Sequence, residues 1–153
     1  ATDPAPATGT VTYDICVYAL GSDGDLACLE ASSGKVRWKK NLPYSVAHGN
    51  GVLTTASDLL FIGQPDGNLI AMDAHNGEEL WRFQTGAAIS ASPVAYEIDG
   101  EQYIAVYAGG TSIPYGNSAP RGDALWAFKV GGTLGNPKPD TGGGMPKIPT
   151  DFK

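Results

Sequence analysis

The chain has 153 residues, a length that fits one domain, with 21 glycines, 11 prolines and only 17% charged residues. Its net charge of −6 and scattered lysines exclude the clustered basic footprint of a nucleic-acid binder. No apolar run approaches the ~18 residues of a membrane-spanning helix, and so much glycine and proline implies many turns and little helix.

The opening residues, ATDPAPATG, have the small-residue and proline character of a mature secreted N-terminus. Residues 1–10 are expected to be a flexible segment, and the protein periplasmic or secreted. Two strand-like runs follow, 14–20 and 25–31, separated by Asp23-Gly24. Asp-Gly between apolar runs marks a hairpin, because the turn needs φ > 0. Cys16 and Cys28 lie on its two arms. If they face one another they form a cross-strand disulfide; otherwise they are two small buried apolar residues. Neither has a CxxC partner or a nearby histidine cluster, which disfavours zinc. Ser32-Ser33-Gly34 predicts a second tight turn and KVRWKK (35–40) a third strand. Alternation puts Lys35, Arg37 and Lys39 on one solvated face.

The same order returns further on. QPDGNLIAMDAHNGEELWRF (64–83) repeats GSDGDLACLEASSGKVRWKK (21–40) at an offset of 43 residues, the separation of Trp38 and Trp81. Strands are expected at 59–63 and 68–74, a turn at His75-Asn76-Gly77, and a strand at 78–84. A third, degenerate copy has strands at 100–110 and 123–132, with an insertion at 111–121 that lengthens the period to 56 when Ala71 is matched to Ala127. Hairpins at 50–63 and 91–109 add one strand to each unit. Four antiparallel strands every ~40–45 residues describe β-propeller blades. The recurring Trp is expected to lie between blades, against the glycine turn of the adjacent repeat, since one blade cannot bury both of its faces alone.

The fold is therefore expected to be all-β: a partial β-propeller of about three four-stranded antiparallel blades, spanning 11–132. Propellers close with about four to eight blades, so this chain is not able to close alone. Missing blades or other copies of itself would complete the ring. The stretch 133–153, rich in Pro and Gly, reads as a tail or linker.

LACLEASSGKVRW and LIAMDAHNGEELW resemble the tryptophan-docking motif, A-x-D-x-x-x-G-x-x-x-W, of the quinoprotein propellers. GVLTTASDLLFIGQPDGNLIAMDAHNGEELWRFQTGAAISASPVAYEIDGEQYIAVYAGG is similar to the C-terminal blades of the pyrroloquinoline-quinone (PQQ) dependent alcohol dehydrogenases. PRGDALWAFKVGGTLGNP resembles their closing strand, and the tail that in some members leads to a cytochrome c domain. The resemblance implies an eight-bladed ring with PQQ and a calcium or lanthanide ion at its centre. There a hydride passes from an alcohol to the quinone, and electrons leave to a cytochrome c. The cofactor carries that chemistry and the protein supplies orientation and charge.

Several family features are absent. The adjacent cysteine pair is missing, and the metal-binding Glu and Asn and the catalytic Asp belong to blades not represented here. Calcium would be held by residues not in this chain. Where many members have Trp-Asn-Gly-Gly before VLTT, this chain has His48, Gly49 and Asn50; where they end Gly-Trp-Gly-Gly, it has Ala108, Gly109 and Gly110. The resemblance thus implies rim positions toward PQQ at His48, Asn50, Gly109 and Gly110, with no catalytic residue and no metal ligand. From the residues alone, His48 reads as an ordinary loop histidine and Asn50 equally as a turn residue between glycines. Three functions follow: part of an alcohol-oxidising quinoprotein, not catalytic in isolation; a non-catalytic propeller scaffold or binding module; or a self-assembling secreted β protein.

Overall fold

The computed structural model describes residues 16–21, 24–44, 51–110, 122–135 and 137. They contain ten strands and no helix, and hence no helix long and apolar enough to cross a membrane. The strands are β1 (Cys16–Leu20), β2 (Asp25–Glu30), β3 (Val36–Asn41), β4 (Val52–Thr54), β5 (Leu59–Gly63), β6 (Asn68–Asp73), β7 (Glu79–Gln84), β8 (Val94–Ile98), β9 (Glu101–Ala108) and β10 (Ala124–Phe128). They form three antiparallel meanders, ordered β1-β2-β3, β4-β5-β6-β7 and β10-β9-β8. These are three successive blades of an open partial propeller.

The 43-residue offset survives at the level of single hydrogen bonds. It carries β1, β2 and β3 onto β5, β6 and β7 end for end, and the register shift at Cys28/Leu29 onto that at Ala71/Met72. The Leu42 amide donates to the Gly24 carbonyl at 2.8 Å, and the Thr85 amide to the Gly67 carbonyl at 2.8 Å. Glu30 bonds Lys35 as Asp73 bonds Glu78, both at 2.8 Å. Gly24 and Gly67 have φ of 91° and 88°, which an L side chain rarely adopts. The Asp99-Gly100 turn differs: both residues have positive φ, the pattern of a two-residue hairpin loop.

The middle blade is apolar on both sides. Leu60, Ile62, Ile70 and Met72 pack with Leu26 and Leu42 of the first blade. Phe61, Leu69 and Ala71 pack with Ile104, Val106 and Ala108 of the third. This explains the unbroken runs LLFIG and LIAM, since a strand covered on both faces has no reason to alternate. Each such side chain contributes roughly 1.5–3 kcal/mol by leaving water. The outer faces of the end blades remain open, with Val17 and Val36 exposed on the first and Val94, Ile98 and Leu125 on the third.

Four strands per blade hold only for the second blade among the described residues. A first-blade counterpart of β4 would precede Cys16, outside them. After β10 the chain turns at Lys129–Gly132 and runs on through Gly135 and Pro137. Glycine weakens a strand and proline cannot donate to a ladder, and among the described residues there is no counterpart of β7.

Cys16 and Cys28 are bonded, with Cα atoms 5.3 Å apart. Cys28 sits opposite Tyr18 and Cys16 opposite Glu30, so the bridge runs diagonally on one face of the β1–β2 ladder. Lys35, Arg37 and Lys39 are exposed as expected; Arg37 pairs with Glu30 and Lys39 with Asp25.

Candidate functional site

Two places in the fold concentrate specific chemistry: the seams between blades, and the strand ends at which Gly109 and Gly110 lie.

At the first seam, Trp38 of β3 lies against the β6–β7 turn. Its Nε1 donates to the Ala74 carbonyl at 2.9 Å, which also accepts from the Tyr18 hydroxyl at 3.3 Å. The Lys40 ammonium donates to the Gly77 carbonyl at 3.0 Å. A Cβ on Gly77 would stand 2.8 Å from the Trp38 ring, so glycine is needed for the indole to lie flat there. Burial at this seam, with the Asp58 charge adding to it, raises the Tyr18 phenol above its ordinary pKa. The offset maps this receptor onto Ala31 and Gly34 of the first blade. Both are exposed, and nothing stands within 4 Å of where a Gly34 Cβ would be. The first blade thus carries an unfilled tryptophan dock.

The second seam is built otherwise, which corrects the expectation for Trp81. Trp81 does not lie on a glycine turn. It meets Phe128 edge-on at 5.5 Å and stacks on Phe83 at 5.9 Å, and its ring stays 40% exposed. The physical reason is that the third blade lacks the Ala-x-Asp-x-x-x-Gly receptor; Lys129, Val130 and Gly131 stand in its place.

At the strand ends, the segment 85–91 ties the second blade to the third. The Ile89 amide donates to the Gln64 carbonyl at 3.1 Å, and the Gly110 amide to the Ala88 carbonyl at 3.0 Å. The Thr85 hydroxyl is bonded to both the Gly67 and Ala87 carbonyls, at 2.8 and 2.9 Å. Close passage of this segment explains Gly63, Gly67 and Gly122, where a Cβ would strike Ile89 or Ala87. Gly109 and Gly110 therefore stand beside the Gln64 turn. Gly110 has φ of 77°, and its amide is already used. His48 and Asn50 lie outside the described residues. No sequence signal marks Gln64. It is fully buried, and among the described residues its Oε1 has no hydrogen-bond partner.

This end of the blades offers backbone, glycines and one buried amide. Among the described residues no group of three or more His, Cys, Asp or Glu side chains is placed to hold a metal ion. The Tyr107 ring lies against Gly109, where a Cβ would strike it. Gly109 and Gly110 do not by themselves make a site for PQQ.

The comparisons agree with this architecture. The PQQ_2 model, described as outer membrane protein assembly factor BamB, matches residues 4–137. A quinoprotein ethanol dehydrogenase of Pseudomonas aeruginosa is 42% identical over 70% of this chain and 18% of its own length. The quinoprotein alcohol dehydrogenase PedH of Pseudomonas putida is 43% identical over 70% of this chain and 19% of its own. Among solved structures, a quinohemoprotein alcohol dehydrogenase of Pseudomonas putida superposes with a TM-score of 0.67 at 28% identity, over 82% of this chain and 19% of that one. That of Comamonas testosteroni superposes with a TM-score of 0.61 at 32% identity, over 74% and 17%. The fold is thus a piece of a quinoprotein-type propeller. The chain belongs to the PQQ-dependent (quinoprotein) alcohol dehydrogenase family, and spans about a fifth of the length of the curated relatives it matches.

Proposed function

We propose that this chain supplies three C-terminal blades of a periplasmic quinoprotein that oxidises alcohols through PQQ, and that it binds the cofactor only when further blades complete the ring. The observation that carries this reading is the unfilled Ala31–Gly34 dock on a chain whose first seam fills the equivalent dock with Trp38: the first blade presents a receptor for the tryptophan of another. Likeness to quinoprotein alcohol dehydrogenases over most of the chain supports PQQ as the cofactor and an alcohol as the substrate.

In this reading residues 11–132 form the blades, with 1–10 and 133–153 as flanking segments. His48, Asn50, Gly109 and Gly110 border the cofactor, and any calcium ligands come from outside the chain. PQQ would supply the hydride acceptor; these residues would bound its edge and exclude water. The names of some relatives carry cytochrome c or a quinohemoprotein label, which supports a cytochrome c as electron acceptor. The blades that complete the ring are further repeats or other copies of the chain.

Native mass spectrometry with PQQ and calcium added tests the reading. A PQQ adduct on an assembly of about eight blades, the number the family resemblance implies, is expected. A stable assembly of that size without an adduct would overturn the cofactor assignment and leave the scaffold reading. An unliganded monomer would show that the partner is not a copy of this chain.

A further inference from the structure

The empty turn at Ala31–Gly34 and the filled dock at Ala74–Gly77 are built alike. Gly34 and Gly77 have φ of 69° and 73°. Their amides donate to the Glu30 and Asp73 carbonyls, each at 2.8 Å. The Ser33 hydroxyl oxygen accepts from the Lys35 amide at 3.2 Å, as the Asn76 side-chain oxygen accepts from the Glu78 amide at 2.7 Å. The Ala31 and Gly34 carbonyls are therefore presented as those of Ala74 and Gly77 are, which receive the Trp38 indole and the Lys40 ammonium. The charge alongside differs. At the 43-residue offset, Lys35 and Val36 stand where the filled dock has Glu78 and Glu79. The Glu79 carboxyl is held below its ordinary pKa by its hydrogen bond to Arg82, with the Lys40 charge adding to it. A lysine docked on the first blade would meet Lys35 in place of an acid.

We propose that this dock takes a tryptophan-bearing strand from a blade of different sequence, one in which the residue two after the tryptophan is acidic where β3 has Lys40. The inference rests on the reading that further blades complete the ring, and names the kind of blade that sits next to the first. No copy of this chain can supply the indole without opening a seam of its own. The chain has three tryptophans. Trp38 is seated on the Ala74 carbonyl. Trp81 and Trp126 line an aromatic groove of about 800 Å³ in the second seam, where Trp126 meets Phe83 edge-on at 5.2 Å. Copies that meet through their other faces leave this dock empty. The acid follows from Lys35. Exchanging a like charge for an opposite one at such an exposed contact is expected to change affinity by about two- to fivefold, and less at high salt.

The test follows the Gly34 amide of the nitrogen-15-labelled full chain by NMR while a cyclised hairpin peptide of residues 25–41, with Cys28→Ala, is added. Three peptides are compared: Lys40 retained, Lys40→Glu, and Trp38→Ala. The Gly34 signal is expected to shift with the first two and not with the third, and Lys40→Glu is expected to bind about two- to fivefold more tightly than the parent peptide at low salt. The Trp38→Ala variant of the full chain vacates the Ala74–Gly77 dock and shows that the probe is competent: at its Gly77 amide the order of the two peptides should reverse. A Gly34 signal unmoved at millimolar peptide, an equal shift with the Trp38→Ala peptide, or tighter binding of the Lys40 peptide would overturn the proposal. So would a Gly34 shift that grows with the chain's own concentration, because a copy would then be the occupant. PQQ takes no part in this experiment. A PQQ-loaded assembly with no Gly34 response overturns this inference alone, and a Gly34 response without a PQQ adduct leaves it standing while the cofactor assignment falls.

Discussion

The two seams present similar aromatic residues to different receivers. Trp38 meets a turn of small residues with two free carbonyls, and every polar atom in the contact is matched. Trp81 meets a third blade that has lost that turn, and it falls back on ring-to-ring contact beside an open groove. A docking tryptophan is thus specified by its receiver as much as by its own strand. The motif is legible in one repeat, but its outcome is decided in the next.

Substitution at the two indoles should separate the seams most. Trp38→Ala removes a large packed ring and leaves the Ala74 carbonyl without its indole donor. A loss of about 3 kcal/mol is expected, against about 1 kcal/mol for Trp81→Ala, both read from urea unfolding midpoints. Equal losses would erase the distinction. Reduction of Cys16–Cys28 comes next. Cys28 stands opposite both Tyr18 and Trp38 in the ladder, so the bridge lies on the same face of the sheet as both rings, beside the first seam. The bonded residues are 12 apart, and opening so short a loop is expected to cost about 2–3 kcal/mol, seen as a reductant-dependent midpoint.

Glycine substitution sharpens the contrast between filled and unfilled docks. Gly77→Ala meets both a left-handed backbone and the Trp38 ring, and should cost about 3 kcal/mol. Gly34→Ala meets only the backbone, and about 1 kcal/mol is expected. If further blades were added and docked, the two values should converge. The smallest effect is on pH. The Tyr18 phenol is raised in the folded state by burial, with Asp58 adding to it. It therefore contributes stability that is fully present below the ordinary tyrosine pKa and is lost as pH rises through the raised one. A thermal melting series above pH 9 should show this loss in the parent and not in Tyr18→Phe.

Much of the fold was legible because period and turn chemistry agreed. Asp66-Gly67 and His75-Asn76-Gly77 bracket β6 almost to the residue, and the 43-residue offset predicted β1–β3 from β5–β7. The third blade was harder. Gly132, Gly135 and Pro137 say that a fourth strand will fail, but only against knowledge of where it should have run. The disulfide depended on a register that one residue would have reversed. The site was the least legible part. Gly109 and Gly110 could be named from resemblance, yet their place beside Gln64 comes from the 85–91 segment, which has no periodic pattern. Gln64 itself carried no signal, because a buried glutamine in a turn looks like an exposed one until the neighbouring segment covers it.

One consequence of the repeat concerns direction. The first seam joins unlike surfaces: a strand-borne indole on the earlier blade and a turn receptor on the later one. The open faces at the two ends are therefore different from each other, and neither complements itself. No two-fold axis can relate units joined in this manner, and the series has a sense like that of an arrow. Addition at such ends proceeds head to tail and stops only when the curvature brings the last face back to the first.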